Sequence, residues 1–293
     1  MTRHPGSHHH ATPPKDRNMT SEPTTVPATP RTIDEAKVTG WWSTAVSRIR
    51  PGEILLRGYP VEQLIGRTGF AEQIWLMLRG ELPTPAQHRL LEAALVAAVD
   101  HGPQAPSIAA ARMAATCGVG LNSAVATGAG LLGDTHGGAG QQCMEILNRI
   151  MCGEHPRDVV LEFRKRKAYI PGFGHRFHPR DPRRDPLLAL VREAVDAGEV
   201  PGHALAAGLA LEAALAEGRT KPVPMNIDGA TAIIYAELGF PAELGRGLFI
   251  LSRSVGILAH AWEEYEGGAR IKGPLPTPLL AGYHGTPPRD LER

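Results

Sequence analysis

The chain of 293 residues carries 31 Lys and Arg against 30 Asp and Glu, a formal net charge of +1. So even a balance excludes the basic footprint of a nucleic-acid-binding protein or of a protein drawn to an acidic membrane, and it points to small-molecule partners. The length suffices for one large domain or two modest ones, each with its own core. Cys117, Cys143 and Cys152 show no CxxC or metal-type spacing, which fits a reducing compartment and neither a disulfide framework nor a zinc site. All three read as buried packing residues.

In chain order, residues 1–35 are rich in Pro, Thr, Ser and His and poor in apolar side chains, so a disordered tail is expected. Met19 is an alternative start, and His8, His9 and His10 read as a solvated run, since an unstructured tail cannot fix metal-ligand geometry. With no signal-like apolar run and no segment of the roughly 18 apolar residues needed to span a bilayer, a cytoplasmic location is the default. Around 54–58 the pattern resembles a short strand, and alternating patterns are otherwise scarce. Residues 70–78 and 86–99 repeat apolar side chains at helical spacing, with Pro83 and Pro85 before the second run, and predict a helical hairpin. Similar patterns at 186–197, 201–216 and 241–265 open on prolines. The expected fold class is all-α.

In the segment 241–265, Leu244, Leu248, Leu251, Val255, Leu258 and Trp262 form an apolar stripe expected to face a core. Gly247, Ser254 and Ala261 form a second, small-residue stripe suited to close helix approach, and the helix reads as buried almost all round. Arg246, Arg253 and His260 recur along it at the same seven-residue spacing. A buried guanidinium needs an anionic partner, either a protein carboxylate or a substrate carboxylate.

Four segments join tight glycine turns to titratable residues: Asp100-His101-Gly102-Pro103, Gly133-Asp134-Thr135-His136-Gly137-Gly138-Ala139, Gly172-Phe173-Gly174-His175-Arg176 and Asn226-Ile227-Asp228-Gly229. Each suits a helix end that presents one polar side chain, with glycine allowing close backbone approach. Any one alone reads as a plain turn. Together they supply histidines that exchange protons near neutral pH, a carboxylate base and arginines that grip carboxylates with paired hydrogen bonds. Making or cleaving a carbon–carbon bond beside a carbonyl calls for such a set, because an enolate oxygen needs a preorganised donor and a weakly acidic methyl needs a base.

Residues 133–139, the run GFGHRFHPRDPR at 172–183, NIDG at 226–229 and LSRSVG at 251–256 resemble motifs of the citrate synthase superfamily, and they occur in that family's order. The segment ILLRGYPVEQL at 54–64, followed by GELPT at 80–84, is similar to its N-terminal signature. Within the superfamily, the short N-terminal region and the DHGP and NIDG motifs resemble the citryl-CoA lyase branch, including the C-terminal module of ATP-citrate lyase. His136 is instead a synthase-like feature.

The resemblance implies a two-domain helical fold with a short N-terminal region: a large domain of 36–135 and 241–293, and a small one of 136–240. It implies cleavage or formation of the bond between acetyl-CoA and oxaloacetate, with Asp228 as acid or base at the acetyl methyl, His136 stabilising the thioester enolate, and His175 exchanging a proton with the hydroxyl or ketone oxygen. His101, Arg183, Arg253 and Arg270 would hold substrate carboxylates, Arg270 acting in the site of a neighbouring subunit, so that a homodimer is implied. Coenzyme A would enter as part of the thioester substrate, with Arg164, Lys165 and Lys167 as candidate phosphate contacts and Arg180 and Arg184 comparable to them. Citrate synthase activity with thioester hydrolysis is the alternative, as is a non-catalytic relative that binds CoA or a carboxylate. No metal or redox cofactor is expected. The sequence GAGLLG at 128–133 fits GxGxxG but lies in an Ala-rich helical stretch without a preceding strand, so it reads as a chance match.

Overall fold

Cap and turn residues set the element boundaries in the structure, a computed structural model that describes residues 34–176 and 178–291. The chain divides into two compact units, Met1–Ala45 and Val46–Arg293. In the first, Asp34 accepts the N–H of Lys37 and opens α1 (Glu35–Trp41). The rest of the expected tail, with His8 to His10 and Met19, lies outside the described residues.

The second unit begins with β1 (Ser47–Arg50), β2 (Glu53–Leu56) and β3 (Tyr59–Pro60), an antiparallel sheet in that order, with Ile49 opposite Ile54. One strand was expected here. The pattern conceals β1 because its residues are charged or exposed on both faces and its pairing is set by the turn at Gly52. Helices follow: α2 (Val61–Leu64), α3 (Phe70–Arg79), α4 (Pro85–Ala98), α5 (Pro106–Ala115), α6 (Leu121–Gly130), α7 (Ala139–Met151), α8 (Pro156–Lys165), α9 (Arg184–Asp196), α10 (His203–Ala216), α11 (Ile227–Glu237) and α12 (Ala242–Glu266). The predicted hairpin is α3 and α4. Thr84 caps α4 reciprocally with Gln87, and Gly80 ends α3 in the left-handed conformation, so the cap chemistry fixes both sides of the turn. The fold is all-α in class.

Two apolar clusters fill this unit. The larger gathers Trp75, Leu91, Met144, Leu188 and Ile233 from α3, α4, α7, α9 and α11, together with Leu248 of α12. The smaller joins Ile108 of α5 and Ala124 of α6 to Ile257 and Ala261 of α12. One helix thus serves both cores.

The faces of α12 differ from expectation. Leu251, Val255, Leu258 and Trp262 are 46–56% exposed, whereas the buried side carries Gly245, Leu248, Ser252, Arg253, Gly256, Ile257, Ala261 and Glu264. Neighbouring atoms come too near for bulk. A Cβ on Gly256 would strike the Val99 carbonyl, and one on Gly245 would lie 2.5 Å from Met144 Sδ. Of the predicted small-residue stripe only Ala261 is fully buried, and Gly247 has no atom within 4 Å of where its Cβ would be. Close packing also accounts for the GxGxxG match, because Gly128 sits against Ser107 and Ile257 where α6 meets α5 and α12. Cys143 is buried as expected, but Cys117 and Cys152 are exposed, since they lie in helix-terminal turns.

Candidate active site

Three loops and two helices converge on a cavity of about 270 Å³ lined by His101, His136, His175, Asp228 of α11 and Arg253 of α12, with Arg176 beside them. Each loop is shaped by glycine where shape matters. Gly172, at φ +86°, lies so tightly against Cys143 and Gly229 that an added Cβ would come within 2.9 Å of both. The chain must be bare at that point for the His175 loop to lie against α11.

Asn226 joins this loop to α11. Its Oδ1 accepts the N–H groups of Asp228 and Gly229 at 2.9 and 3.3 Å, which caps the helix, while its Nδ2 donates to Gly174 O at 2.7 Å. The Asn226 N–H donates to Gly172 O at 3.0 Å, and the Gly174 N–H to Pro224 O at 2.8 Å. Asp228 is thereby delivered in the first turn of α11, next to the loop that carries His175. Burial raises the Asp228 pKa, against the pull of Arg183 and Arg253 and with a contribution from the like charge of Asp181. Its carboxylate makes no hydrogen bond to another described residue.

His136 follows α6 and sits just ahead of α7. The Ser107 backbone N–H, at the start of α5, donates to His136 Nε2 at 3.2 Å, and Ser107 Oγ lies 2.9 Å from the same nitrogen. A backbone N–H can only donate, so Nε2 is the acceptor and the ring proton resides on Nδ1. Burial and nearby Arg253 lower the His136 pKa, which keeps the ring neutral with Nδ1–H as a donor. His175 Nδ1 accepts the His178 N–H at 3.2 Å, and burial lowers its pKa, with the neighbouring His178 adding to the effect. His101, edge-on to His175 at 5.4 Å between ring centroids, is lowered by burial and then by Arg183 and Arg253. All three histidines are therefore poised toward the neutral form.

The arginines separate by partner. Arg246 pairs with Asp134 at 2.5 Å, Arg180 with Asp185 at 2.7 Å, and buried Arg184 with Glu212 and Asp185, so these three are committed to protein carboxylates. Arg253 is buried and lines the cavity without a protein carboxylate in pairing distance among the described residues. Its Nε donates to Ala98 O at 3.1 Å, and its guanidinium lies over the Phe249 ring at 4.9 Å. Arg183 is held by Asp181 and is one-fifth exposed, at 22%. Arg270 is exposed and does not line its own chain's cavity: the Ile271 N–H donates to Thr116 O at 3.0 Å, at the far end of α5 from Ser107, roughly 13 Å along the helix axis.

A second cavity, of about 750 Å³, adjoins the first through Gly174, His175 and Arg176. Arg164, Lys167, Arg176 and Arg219 ring it, over an apolar floor that includes Phe163 and Phe173. Lys165, the last residue of α8, is not among the residues that line it. Sequence reasoning missed Ser107, Asn226, Asp181, Arg176 and Arg219. Only Asn226 carried a signal, that of a cap residue before a helix. Among the described residues no group of three His, Cys, Asp or Glu side chains is arranged to hold a metal ion, and no helix is long and apolar enough to cross a membrane.

The family model described as citrate synthase, C-terminal domain, matches residues 83–274, a span that includes every loop of the cavity. The chain belongs to the citrate synthase family. It is 32% identical over 225 residues to the citrate synthase of Mycolicibacterium smegmatis, covering 76% of this chain and 57% of that protein. To ATP-citrate synthase subunit 1 of Sordaria macrospora it is 29% identical, covering 74% of this chain and 34% of that one. Among solved structures it resembles the citryl-CoA lyase of Hydrogenobacter thermophilus, with a TM-score of 0.77 and 35% identity over 86% of this chain and 97% of that one. The chain spans 57–62% of the length of the first citrate synthases it matches.

Proposed function

We propose that this member of the family cleaves and forms the carbon–carbon bond between acetyl-CoA and oxaloacetate, in the manner of a citryl-CoA lyase. The carrying observation is a single cavity faced by a carboxyl group with a raised pKa, a neutral histidine offering Nδ1–H, and a second histidine with a lowered pKa.

In the cleavage direction neutral His175 takes the hydroxyl proton of citryl-CoA on Nδ1, its unprotonated nitrogen, which exchanges the His178 N–H for the substrate hydroxyl. The carbon–carbon bond then breaks, its electron pair becomes the acetyl-CoA enolate, and His136 Nδ1–H stabilises the enolate oxygen. Protonated Asp228 delivers its proton to the enolate carbon, and oxaloacetate leaves. A carboxyl group with a raised pKa suits a donor that must hold its proton until the bond is broken. Arg253, His101 and Arg183 hold the substrate carboxylates, Arg253 being apt because no carboxylate of a described residue pairs with it. The adjoining cationic cavity suits the phosphates of coenzyme A, with Arg164 and Lys167 as contacts, and Arg219 and Arg176 in place of Lys165.

The same proposal includes a homodimer, supported by the exposed apolar stripe of α12 and by the distance of Arg270 from its own cavity. It also includes closure of a small domain, 136–240, over a large one, 36–135 and 241–293, to exclude water from the enolate, and a cytoplasmic location. The names of the curated relatives favour a second reading, condensation with thioester hydrolysis. Mixing the protein with acetyl-CoA and oxaloacetate, and separately with citryl-CoA, separates the two: release of free thiol assigns synthase activity, and oxaloacetate formed from citryl-CoA without thiol assigns the lyase. If neither pair reacts while the ligands still bind, the protein is a non-catalytic relative and the proposal fails.

A further inference from the structure

One buried carboxylate lies between the arginine and the acid-base residue of the site. The Asp181 side chain is 1% exposed and is saturated with donors. Its Oδ1 accepts the Arg183 backbone N–H at 3.0 Å and Arg183 Nε at 2.9 Å, and its Oδ2 accepts Arg183 Nη2 at 2.9 Å and the Ile227 N–H at 3.1 Å. Ile227 opens α11 and immediately precedes Asp228. Arg183 Nη1 also reaches Ala97 O at 3.4 Å, at the end of α4 and just before the loop of His101.

We infer that Asp181 is a positioning residue that locks Arg183 to the first turn of α11 and so sets where a substrate carboxylate is held relative to Asp228. This rests on the roles given above to Arg183 and Asp228. A guanidinium has five N–H donors in a fixed fork. Asp181 occupies the edge formed by Nε and Nη2, which immobilises the plane and leaves the edge formed by Nη1 and Nη2 for a second carboxylate. Without Asp181 an arginine that is one-fifth exposed would be free to turn, and its entropy would be lost only when substrate bound. Four donors, one of them a helix-terminal N–H, hold the Asp181 pKa down to about 2 despite its burial, so the lock persists at any pH where the protein works.

The test uses the full chain. In Asp181→Asn the fork loses its charged partner, and the KM for oxaloacetate in the condensation direction is expected to rise about tenfold or more, with a smaller fall in kcat. In an Arg183→Gln background the same substitution should add little, because Asp181 acts through Arg183. A merely structural role would not shift the pH dependence, but loss of a like charge beside Asp228 should move the acid limb to lower pH. The charged and titratable groups facing Asp228 are Asp181 and Arg183 from the loop, Arg253 from α12, Cys143 from α7, and His136 and His175 across the cavity. Of these Asp181→Asn alters only one charge.

An unchanged KM with an unmoved limb would overturn the inference, as would full additivity with Arg183→Gln. Should the Asn variant not fold, Asp181→Glu keeps the charge and displaces the carboxylate by a methylene; a raised KM with an unmoved limb supports the lock, and an unchanged KM refutes it. Should the wild-type protein turn over neither substrate pair, the functional reading fails by itself. The lock is then decided by calorimetric titration of oxaloacetate into wild type, Asp181→Asn, Arg183→Gln and the double variant: binding weakened about tenfold in Asp181→Asn but not further in the Arg183→Gln background upholds it, and unchanged or fully additive binding sinks it.

Discussion

Ser107→Ala is the sharpest small perturbation of the site. Ser107 is fully buried and gives His136 Nε2 two donors, its backbone N–H at 3.2 Å and its hydroxyl at 2.9 Å. Alanine removes the hydroxyl and keeps the N–H, so the tautomer should survive while one of two supporting bonds is lost. Such a bond is worth about 1 kcal/mol net, within roughly 0.5–1.5, so an effect expressed wholly in the transition state slows turnover about fivefold and at most about twelvefold. The assay is the steady-state rate with saturating citryl-CoA, paired with ¹⁵N shifts of the His136 ring. The expected spectrum shows protonated Nδ1 and bare Nε2 in both proteins. A ring protonated at Nε2 in the wild-type protein would refute the argument, and a loss of several hundredfold on removing only the hydroxyl would show that the backbone N–H does not fix the tautomer.

Asp228→Asn should reduce turnover by about 10²- to 10⁴-fold, the usual range for a lost general acid or base, while leaving the fold intact. It should also stabilise the protein at neutral pH. Because the folded pKa of Asp228 is raised, its favourable contribution is fully present below the unfolded pKa and is lost as pH rises through the folded one. Thermal melts of the two proteins should accordingly converge toward pH 4 and separate toward pH 7 with the Asn variant higher; the reverse order would contradict the burial argument. Gly256→Ala would press on the Val99 carbonyl and lie 2.9 Å from Asp100 Oδ1, next to His101. Overpacking of about 1–3 kcal/mol, offset by up to about 1 kcal/mol of helix propensity, should leave it destabilised with a raised KM, whereas Gly247→Ala, which meets nothing within 4 Å, should be neutral or stabilising by urea melts. Leu258→Glu, in the middle of the exposed α12 stripe, should convert a dimer to monomers in sedimentation and depress activity with it; an unchanged mass would remove that face from the interface.

Helices, hairpin and chemical groups were legible in the sequence because local signals carry them. Thr84 with Gln87, the prolines at helix starts and Asn226 before α11 act within a few residues. His136, His175 and Asp228 stood out because glycine turns flank them. What failed was any inference that required knowing the neighbour. Leu251, Val255, Leu258 and Trp262 look like a core face, yet the core side of α12 is lined with Gly245, Ser252 and Gly256 because the backbone of α4 and of Val99 after it, and the Met144 side chain of α7, lie close against it. Apolar periodicity marks a face to be covered and does not say by what. Arg246, Arg253 and His260 share one spacing and have three different fates, set by Asp134, by the cavity and by Asp100. Ser107 carried no local signal, since His136 lies 29 residues away, and although Asp181 bonds to Arg183 two residues on, nothing local announced its link to Ile227, 46 residues away.

The measurement that bears most directly on the central claim is the cleavage of citryl-CoA in deuterium oxide, with products identified by mass spectrometry. If Asp228 delivers a solvent-exchanged proton to the enolate held by His136, the products are oxaloacetate and acetyl-CoA carrying one deuterium in its methyl group. Citrate and free coenzyme A in their place, or acetyl-CoA without deuterium, would contradict the account.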